Sequence, residues 1–325
     1  MKGDSERTRA VSMCDSVRKR KDLLERLGGL PDAAAIVRNS EWLYMLEMDT
    51  RNSLAIEGYF ASEKELKDII AGKHSGIEIL NYYRTAGSIY DLALQYLRED
   101  QIRIDVPLVR HIHSELFRDT GITERGSFRR GEIVIQGAKV HPPVNDLDSY
   151  VRCLVETVLS LLETMDIIPL LARFHTLFES IHPFSDGNGR SGRILMNYLA
   201  LSRGYPPLII KGLSEADRNE YYQALEMADA GFHNGFPLPQ KQDMLNALMD
   251  GDFSGLEQIL CKGALISLDR IIASTLEKKK ELKPLAELAP EIGVKSATLR
   301  KWIERDKMIA IMRKGKLYSH ESLIF

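Results

Sequence analysis

Residues 180–193, Ser-Ile-His-Pro-Phe-Ser-Asp-Gly-Asn-Gly-Arg-Ser-Gly-Arg, are polar and rich in glycine, yet they sit between two strongly apolar stretches with helical spacing. Upstream, Pro169 stands where a first helical turn tolerates proline, and Leu170, Leu171, Phe174, Leu177, Phe178 and Ile181 recur at intervals of three and four. The spacing predicts a helix ending at His182-Pro183. Downstream, Ile194, Leu195, Tyr198, Leu199 and Leu201 predict a second helix, stopped at Gly204 ahead of Tyr205-Pro206-Pro207. The loop must therefore deliver the chain into a helix N-terminus.

Gly187 and Gly189 allow close approach of backbone N–H groups, so the segment can form an anion-binding nest at the positive end of that helix. Arg190 and Arg193 have the wrong sign for a first helical turn, a cost of roughly 0.3–1 kcal/mol each when exposed, which a bound anion offsets. A polyphosphate fits two arginines and a glycine nest, and Asp186 fits a Mg²⁺ ion held against phosphate oxygens. His182 is the candidate base. A glycine-containing turn or a lone histidine at a helix end is ordinary taken singly; the whole string is not.

The string His182–Arg193 resembles the signature loop of the Fic-domain adenylyltransferases at every position. The resemblance implies transfer of AMP from ATP to a protein hydroxyl. It implies His182 as the base, Asp186 as the Mg²⁺ ligand, and Asn188 with the Gly187 and Gly189 amides around the α-phosphate. Arg190 and Arg193 would hold the β- and γ-phosphates, and Phe184 would anchor the loop in the core.

The chain has 325 residues, a formal charge of −2 and 44% hydrophobic residues, which excludes wholesale disorder and a global basic field for nucleic acid or membrane. Cys14, Cys153 and Cys261 are far apart and lack metal-ligand spacing, so they read as thiols of a reducing compartment, Cys153 and Cys261 as small buried hydrophobes. No run of about 18 apolar residues is present, and Met1 to Lys21 lacks an apolar signal core. The expectation is a soluble, cytoplasmic protein with no membrane contact.

Residues 1–38 read as a frayed tail that settles into helical spacing at Leu23, Leu24, Leu27 and Leu30. A clear helix is expected from Asn39-Ser40, a good N-cap, to Ile56, with Gly58 closing it. Its end places Glu57 where helix carbonyls disfavour a carboxylate, a local rule broken. Ser53, Glu57 and Gly58 resemble the Ser/Thr-x-x-x-Glu-Gly segment of the family's inhibitory helix. That resemblance implies a Glu57–Arg193 pair that hinders productive ATP binding.

Helical spacing continues from Ser62 to Arg98 and again from Asp105-Val106-Pro107, while His74, His111 and His113 read as surface or capping histidines. Between them and a helix over Asp146–Met165, the runs Glu132–Gln136 (Glu132, Ile133, Val134, Ile135, Gln136) and Lys139–His141 flank Gly137 and predict a small hairpin. It resembles the family's flap, which implies main-chain pairing with a target segment. Arg218–Ala230 is predicted helical, with Tyr221 and Tyr222 as candidates for an adenine pocket or for packing.

Further helices are expected at Met244–Met249 and Leu256–Leu282. From Lys283 to Phe325, nine Lys/Arg stand against five Asp/Glu, a net of +4. Two short helices around Gly293 and a hairpin about Lys314-Gly315, flanked by Met308–Met312 and Lys316–Ser319, resemble a winged helix-turn-helix. Lys295, Arg300, Lys301 and Arg305 are its candidates for phosphate contact.

The expected architecture is all-α: an N-terminal helical region (1–100) with the inhibitory helix, a Fic core (101–235) with a β-hairpin flap, a helical linker (236–283) and a winged-helix-like domain (284–325). Expected cofactors are ATP as substrate and Mg²⁺. Expected partners are a target protein with a Ser, Thr or Tyr acceptor, this chain itself included, and a second copy in a homodimer. DNA or protein contact through 284–325 stays open. So do three rival functions: a DNA-binding regulator with a ligand-sensing core, γ-phosphate transfer, and removal of AMP with Glu57 positioning water.

Overall fold

The computed structural model describes residues 2–30, 40–279 and 281–325, with side chains from Met13 onward. Thirteen α-helices among these carry nearly all of the order. They are α1 (Lys2–Arg26), α2 (Ser40–Ile56), α3 (Glu63–Ile70), α4 (Ile77–Arg98), α5 (Val106–Leu116), α6 (Leu147–Leu162), α7 (Ile167–Ile181), α8 (Asn188–Ser202), α9 (Glu215–Ala228), α10 (Lys241–Met249), α11 (Ser254–Lys278), α12 (Leu285–Glu291) and α13 (Ser296–Glu304). Helix α1 starts at Lys2, where a frayed tail was expected. The expected cap Asn39 lies outside the described residues.

The centre is the pair α7 and α8, packed on each other, with α4 against α8, α6 against α7 and α11 behind α7. Both are buried almost all round: Leu170, Leu171, Phe174, Leu177 and Phe178 on α7, and Ile194, Leu195, Tyr198 and Leu199 on α8, are each at most 1% exposed. A helix apolar on every face belongs in the middle of a bundle, and the polar loop between them is thereby carried into the protein.

The outer helices are set by local signals. Ser62 and Glu65 close a reciprocal capping box that starts α3, and Asp105 accepts from Leu108 N with Pro107 in the first turn of α5. The predicted continuous helical stretch from 62 to 98 is two helices, because Gly72 turns the chain in the left-handed region and Gly76 caps α4.

Residues 132–141 form no hairpin. Ala138 N donates to Ile135 O at 3.1 Å around Gly137 (φ 81°), but no ladder bonds follow on either side. Other anchors hold the two runs: Arg129 grips the first at its root, Val140 is buried in the core, and Lys139 reaches Glu226 on α9 at 2.5 Å. Apart from Ile135 O, the main chain of Glu132–Gln136 makes no backbone–backbone hydrogen bond.

Strands β1 (Lys283–Pro284), β2 (Ile311–Arg313) and β3 (Lys316–Ser319) lie instead in the C-terminal segment, antiparallel in the order β1-β3-β2, with Ile311 opposite Tyr318 and Arg313 opposite Lys316. Leu285, Leu288, Ala289, Leu299 and Met308 form a small separate core there. Ile309 and Leu323 pack into the main one.

Candidate functional site

Helix α7 ends in His182, whose backbone is left-handed (φ 49°, ψ 60°), a conformation that costs a non-glycine residue on the order of 1–3 kcal/mol and persists only where its surroundings enforce it. Arg129 enforces it. Its guanidinium donates to His182 O (2.7 Å), Ile181 O (3.3 Å), Pro143 O (2.7 Å) and Gly131 O (2.6 Å), and its backbone N–H donates to Pro183 O (2.9 Å). One buried arginine thus satisfies the orphan carbonyls at the end of α7 and ties them to the 132–137 segment.

His113, expected to be a surface or capping residue, is 3% exposed and braces the loop. Gly126 N donates to its Nδ1 (2.8 Å), so the proton is on Nε2, which donates to Asp186 O (3.1 Å). Its ring lies flat on Phe184 with centroids 3.8 Å apart. Burial pushes its pKa down to about 4, so it stays neutral.

Phe184 anchors the loop as expected, fully buried. Asn188 clamps it: Oδ1 accepts from Phe184 N (2.9 Å) and Nδ2 donates to Phe184 O (2.8 Å). The Asn188 side chain is therefore consumed in closing the loop, and only its backbone amide can face a ligand. Gly187 is left-handed (φ 76°), and a Cβ there would lie 2.5 Å from the Phe117 ring. The first helical bond of α8 runs from Ser191 N to Gly187 O, so the amides of Asn188, Gly189 and Arg190 precede it and stay free for an anion.

Both loop arginines are 2% exposed. Arg190 Nη2 donates to Asp186 Oδ1 (3.0 Å), its plane lies over the Phe117 ring, and its Nε has no partner. Arg193 is held from the other side: Nε donates to Ser53 Oγ (2.7 Å), and Nη2 to Ser53 O (3.0 Å) and Glu57 Oε1 (2.6 Å). Burial works against its charge, but the Glu57 carboxylate outweighs it and Arg193 stays protonated throughout. A Cβ on Gly189 would collide with Glu57 Oε1. The carboxylate therefore lies against Gly189, in the first turn of α8.

The structure thus joins Ser53 of α2, and Glu57 just past its end, to Arg193 of α8, across 140 and 136 residues. Gly58 (φ 86°) turns the chain beyond, and Tyr222 Oη donates to Ile56 O (2.7 Å), capping α2. What fixes α2 is a group the sequence did not reveal. Asp49, 3% exposed, accepts from Tyr90 Oη (2.7 Å), Tyr82 Oη (3.1 Å) and Asn197 Nδ2 (3.2 Å), and burial pushes its carboxyl up to about 6 despite these bonds.

His182 is half-buried, with Nδ1 donating to Glu179 O at 3.2 Å, which leaves the Nε2 lone pair free. Burial lowers its pKa, favouring the neutral form. Asp186 is the exposed carboxylate of the loop, 60% accessible at the side chain. Tyr221 is 2% exposed and bonded through its hydroxyl to His175 Nε2 (2.6 Å), so its ring offers no face to solvent; Tyr222 does. Beneath Gly192 lies Glu179, whose Oε1 has no hydrogen-bond partner, His175 Nδ1 standing 4.0 Å away, and whose pKa burial raises to about 8.

Comparison with known proteins follows the same outline. Residues 103–200 match the Fic/DOC family. The chain is 28% identical over 286 residues to a probable protein adenylyltransferase of Aquifex aeolicus, covering 84% of each. It is 34% identical over 148 residues to the protein adenylyltransferase Fic of Drosophila yakuba, covering 43% of this chain but 28% of that protein. The chain thus spans less than a third of that insect relative. In fold it is similar to a Fic domain containing signaling protein from Bacteroides thetaiotaomicron (TM-score 0.65, 18% identity, 81% of this chain and 98% of that one). It is also similar to Fic-1 from C. elegans (TM-score 0.57, 22% identity, 84% and 76%).

Proposed function

We propose that this chain, whose residues 103–200 match the Fic/DOC family, transfers AMP from ATP to a hydroxyl of a target protein and that Glu57 restrains the transfer. The observation that carries the reading is one juxtaposition. A histidine with a free Nε2 borders a nest of free helix-terminal amides flanked by two buried arginines, one of them with an unpartnered Nε.

In this reading the triphosphate lies along the N-terminus of α8. The amides of Asn188, Gly189 and Arg190 stabilise charge on the α-phosphate, Arg190 Nε reaches an adjacent phosphate oxygen, and Arg193 takes the terminal one. His182 Nε2 accepts the acceptor hydroxyl's proton as the oxygen attacks the α-phosphorus. The α–β bridging P–O bond breaks and pyrophosphate leaves. The main chain of Glu132–Val134, which makes no backbone–backbone hydrogen bond and is rooted through Arg129 in the carbonyls beside His182, offers an edge on which a target segment can add as a strand.

Among the described residues no three carboxylate, histidine or cysteine side chains converge as a metal cage. Asp186 fits Mg²⁺ nonetheless, being an exposed carboxylate beside the phosphate path, since this ion takes most of its ligands from phosphates and water. Bound there, Mg²⁺ would supply charge neutralisation on the leaving pyrophosphate.

Glu57 opposes this arrangement twice. Its carboxylate occupies Arg193, and it places a negative charge over Gly189 where a phosphate would lie. The test is incubation of the purified chain and of its Glu57→Gly variant with a lysate and ATP labelled at the α- or γ-phosphate. Label from α-ATP alone on protein supports the proposal. Label from γ-ATP, or none from either, refutes it.

A further inference from the structure

The mechanism uses none of the three cysteines, yet two of them meet. Helix α1 runs alongside α11 in the same direction, with Cys14 opposite Cys261 and, about two turns on, Arg20 bonded to Asp269 at 2.5 Å. The two thiol sulfurs are 3.1 Å apart, across 247 residues of sequence. That is about 1 Å more than the roughly 2 Å of a disulfide bond. Both are free thiols, Cys261 buried and Cys14 half-exposed. Cys14 borders a surface cleft shared with Val17, Arg18, Asp166 and Tyr205.

We infer that Cys14 and Cys261 are a redox-active pair that a peroxide converts to a disulfide, bolting α1 to α11. The asymmetry of the site assigns the roles. Cys14 is the one solvent reaches, in a cleft it shares with Arg18, and its contact with the Cys261 sulfur holds its pKa below the ordinary thiol value against burial and the Glu257 carboxylate. Cys261, deep between helices, has its own pKa raised. Cys14 is therefore the attacking thiolate and Cys261 the resolving thiol.

The Cys14 sulfur attacks one peroxide oxygen, the O–O bond breaks, and the other oxygen leaves as water, giving a sulfenic acid. The Cys261 sulfur then displaces the sulfenic oxygen as a second water and forms the S–S bond. Two thiols and one hydrogen peroxide give one disulfide and two waters.

The bond would act where several elements converge. Through Arg20, α1 also reaches Asp306 O (3.2 Å) and the Phe325 ring of the C-terminal segment. On its other side α11 holds the start of α2 through Arg270, which pairs with Glu41 and lies over the Tyr44 ring. Oxidation thus secures the N-terminal helix to the scaffold that carries the Glu57 helix.

The experiment uses the full chain, treated with one equivalent of hydrogen peroxide, denatured, alkylated and weighed intact, then digested without reductant. The expected result is loss of two hydrogens and one alkylated thiol where the reduced chain shows three. A Cys14–Cys261 peptide pair should appear, and a thiol reductant should reverse it. Thermal unfolding should shift upward by roughly 5 °C. Cys153→Ser should behave as wild type, and Cys14→Ser, at a half-exposed position, should remain folded and give no cross-link. Three alkylatable thiols after treatment, a stable over-oxidised Cys14 with Cys261 still alkylatable, or a cross-link only between chains would each overturn the inference. Because the wild-type peptide map decides the matter, a poorly folding Cys261→Ser variant would leave the test intact.

Discussion

Replacing Glu57 by glycine removes the carboxylate 2.6 Å from Arg193 Nη2 and leaves that guanidinium with the hydroxyl and carbonyl of Ser53. The pair is neither a surface bridge nor a sealed one: the Arg193 side chain is 2% exposed and that of Glu57 27%. A charge-assisted bond of this kind is worth roughly 1.5–3 kcal/mol. If that energy now opposes phosphate binding at Arg193, its release raises AMP transfer about ten- to a hundredfold. Without nucleotide the variant should be less stable than wild type, because a buried cation has lost its carboxylate. Adding ATP and Mg²⁺ should therefore raise its unfolding temperature more than it raises that of wild type. The assay compares α-labelled ATP incorporation by wild type, Glu57→Gly, and Glu57→Gly with Arg193→Ala, scoring self-modification and lysate targets separately. The double variant should lose the gain, since both changes act through one contact. A single variant no faster on either acceptor and no better stabilised by ATP would refute the clamp.

Further outcomes are expected around the same loop. His182→Ala should lose roughly 10²–10⁴-fold in transfer while keeping ATP binding, and near-normal labelling would remove His182 from the base role. Because burial lowers the His182 pKa, the wild-type rate should rise with pH through a midpoint below the ordinary histidine value of about 6.5; a midpoint above about 7 contradicts this. Asn188→Ala strands the Phe184 N–H and C=O in a buried site, at about 1–3 kcal/mol for each unpaired group, so calorimetry should show a lowered unfolding temperature together with lost activity. Asp186→Ala should abolish the rise of rate with Mg²⁺; an unchanged Mg²⁺ titration would put the metal elsewhere. Finally, burial raises Glu179 to about 8, against roughly 4.3 unfolded. The folded chain then holds an extra proton between those values, so this contribution to stability is complete below pH about 4 and fades as pH rises through 8. Glu179→Gln should flatten the fall in unfolding temperature between about pH 5 and 8, and an unaltered slope would assign that titration to another group.

The sequence by itself determined the elements whose signals are local. The α7–loop–α8 unit was legible because apolar residues at helical spacing flank a glycine string, and both periodicity and backbone freedom are written into neighbouring residues. The end of α2 at Ile56 and the position of Glu57 beyond it were legible for the same reason, whereas the anchoring of Phe184 was implied only by the resemblance to the Fic signature loop. The tertiary structure decided what depends on partners distant in sequence. His113 looks like any helical histidine until Gly126 N and Asp186 O close on it, and Arg129 is one of two adjacent arginines until four carbonyls from three segments meet its guanidinium. Asp49 acquires its role only when two tyrosines of α4 and an asparagine of α8 surround it.

The predicted hairpin at 132–141 failed on the same ground. Alternation and a glycine turn are compatible with pairing, but Arg129, Val140 and Lys139 anchor the two runs elsewhere, and a short ladder cannot outweigh buried contacts and charge-assisted bonds. Cys14 and Cys261, read as unconnected thiols, meet because α1 packs along α11. Periodicity tells a helix which face to bury; which residue of another helix lies opposite is settled only by the packing of the whole bundle.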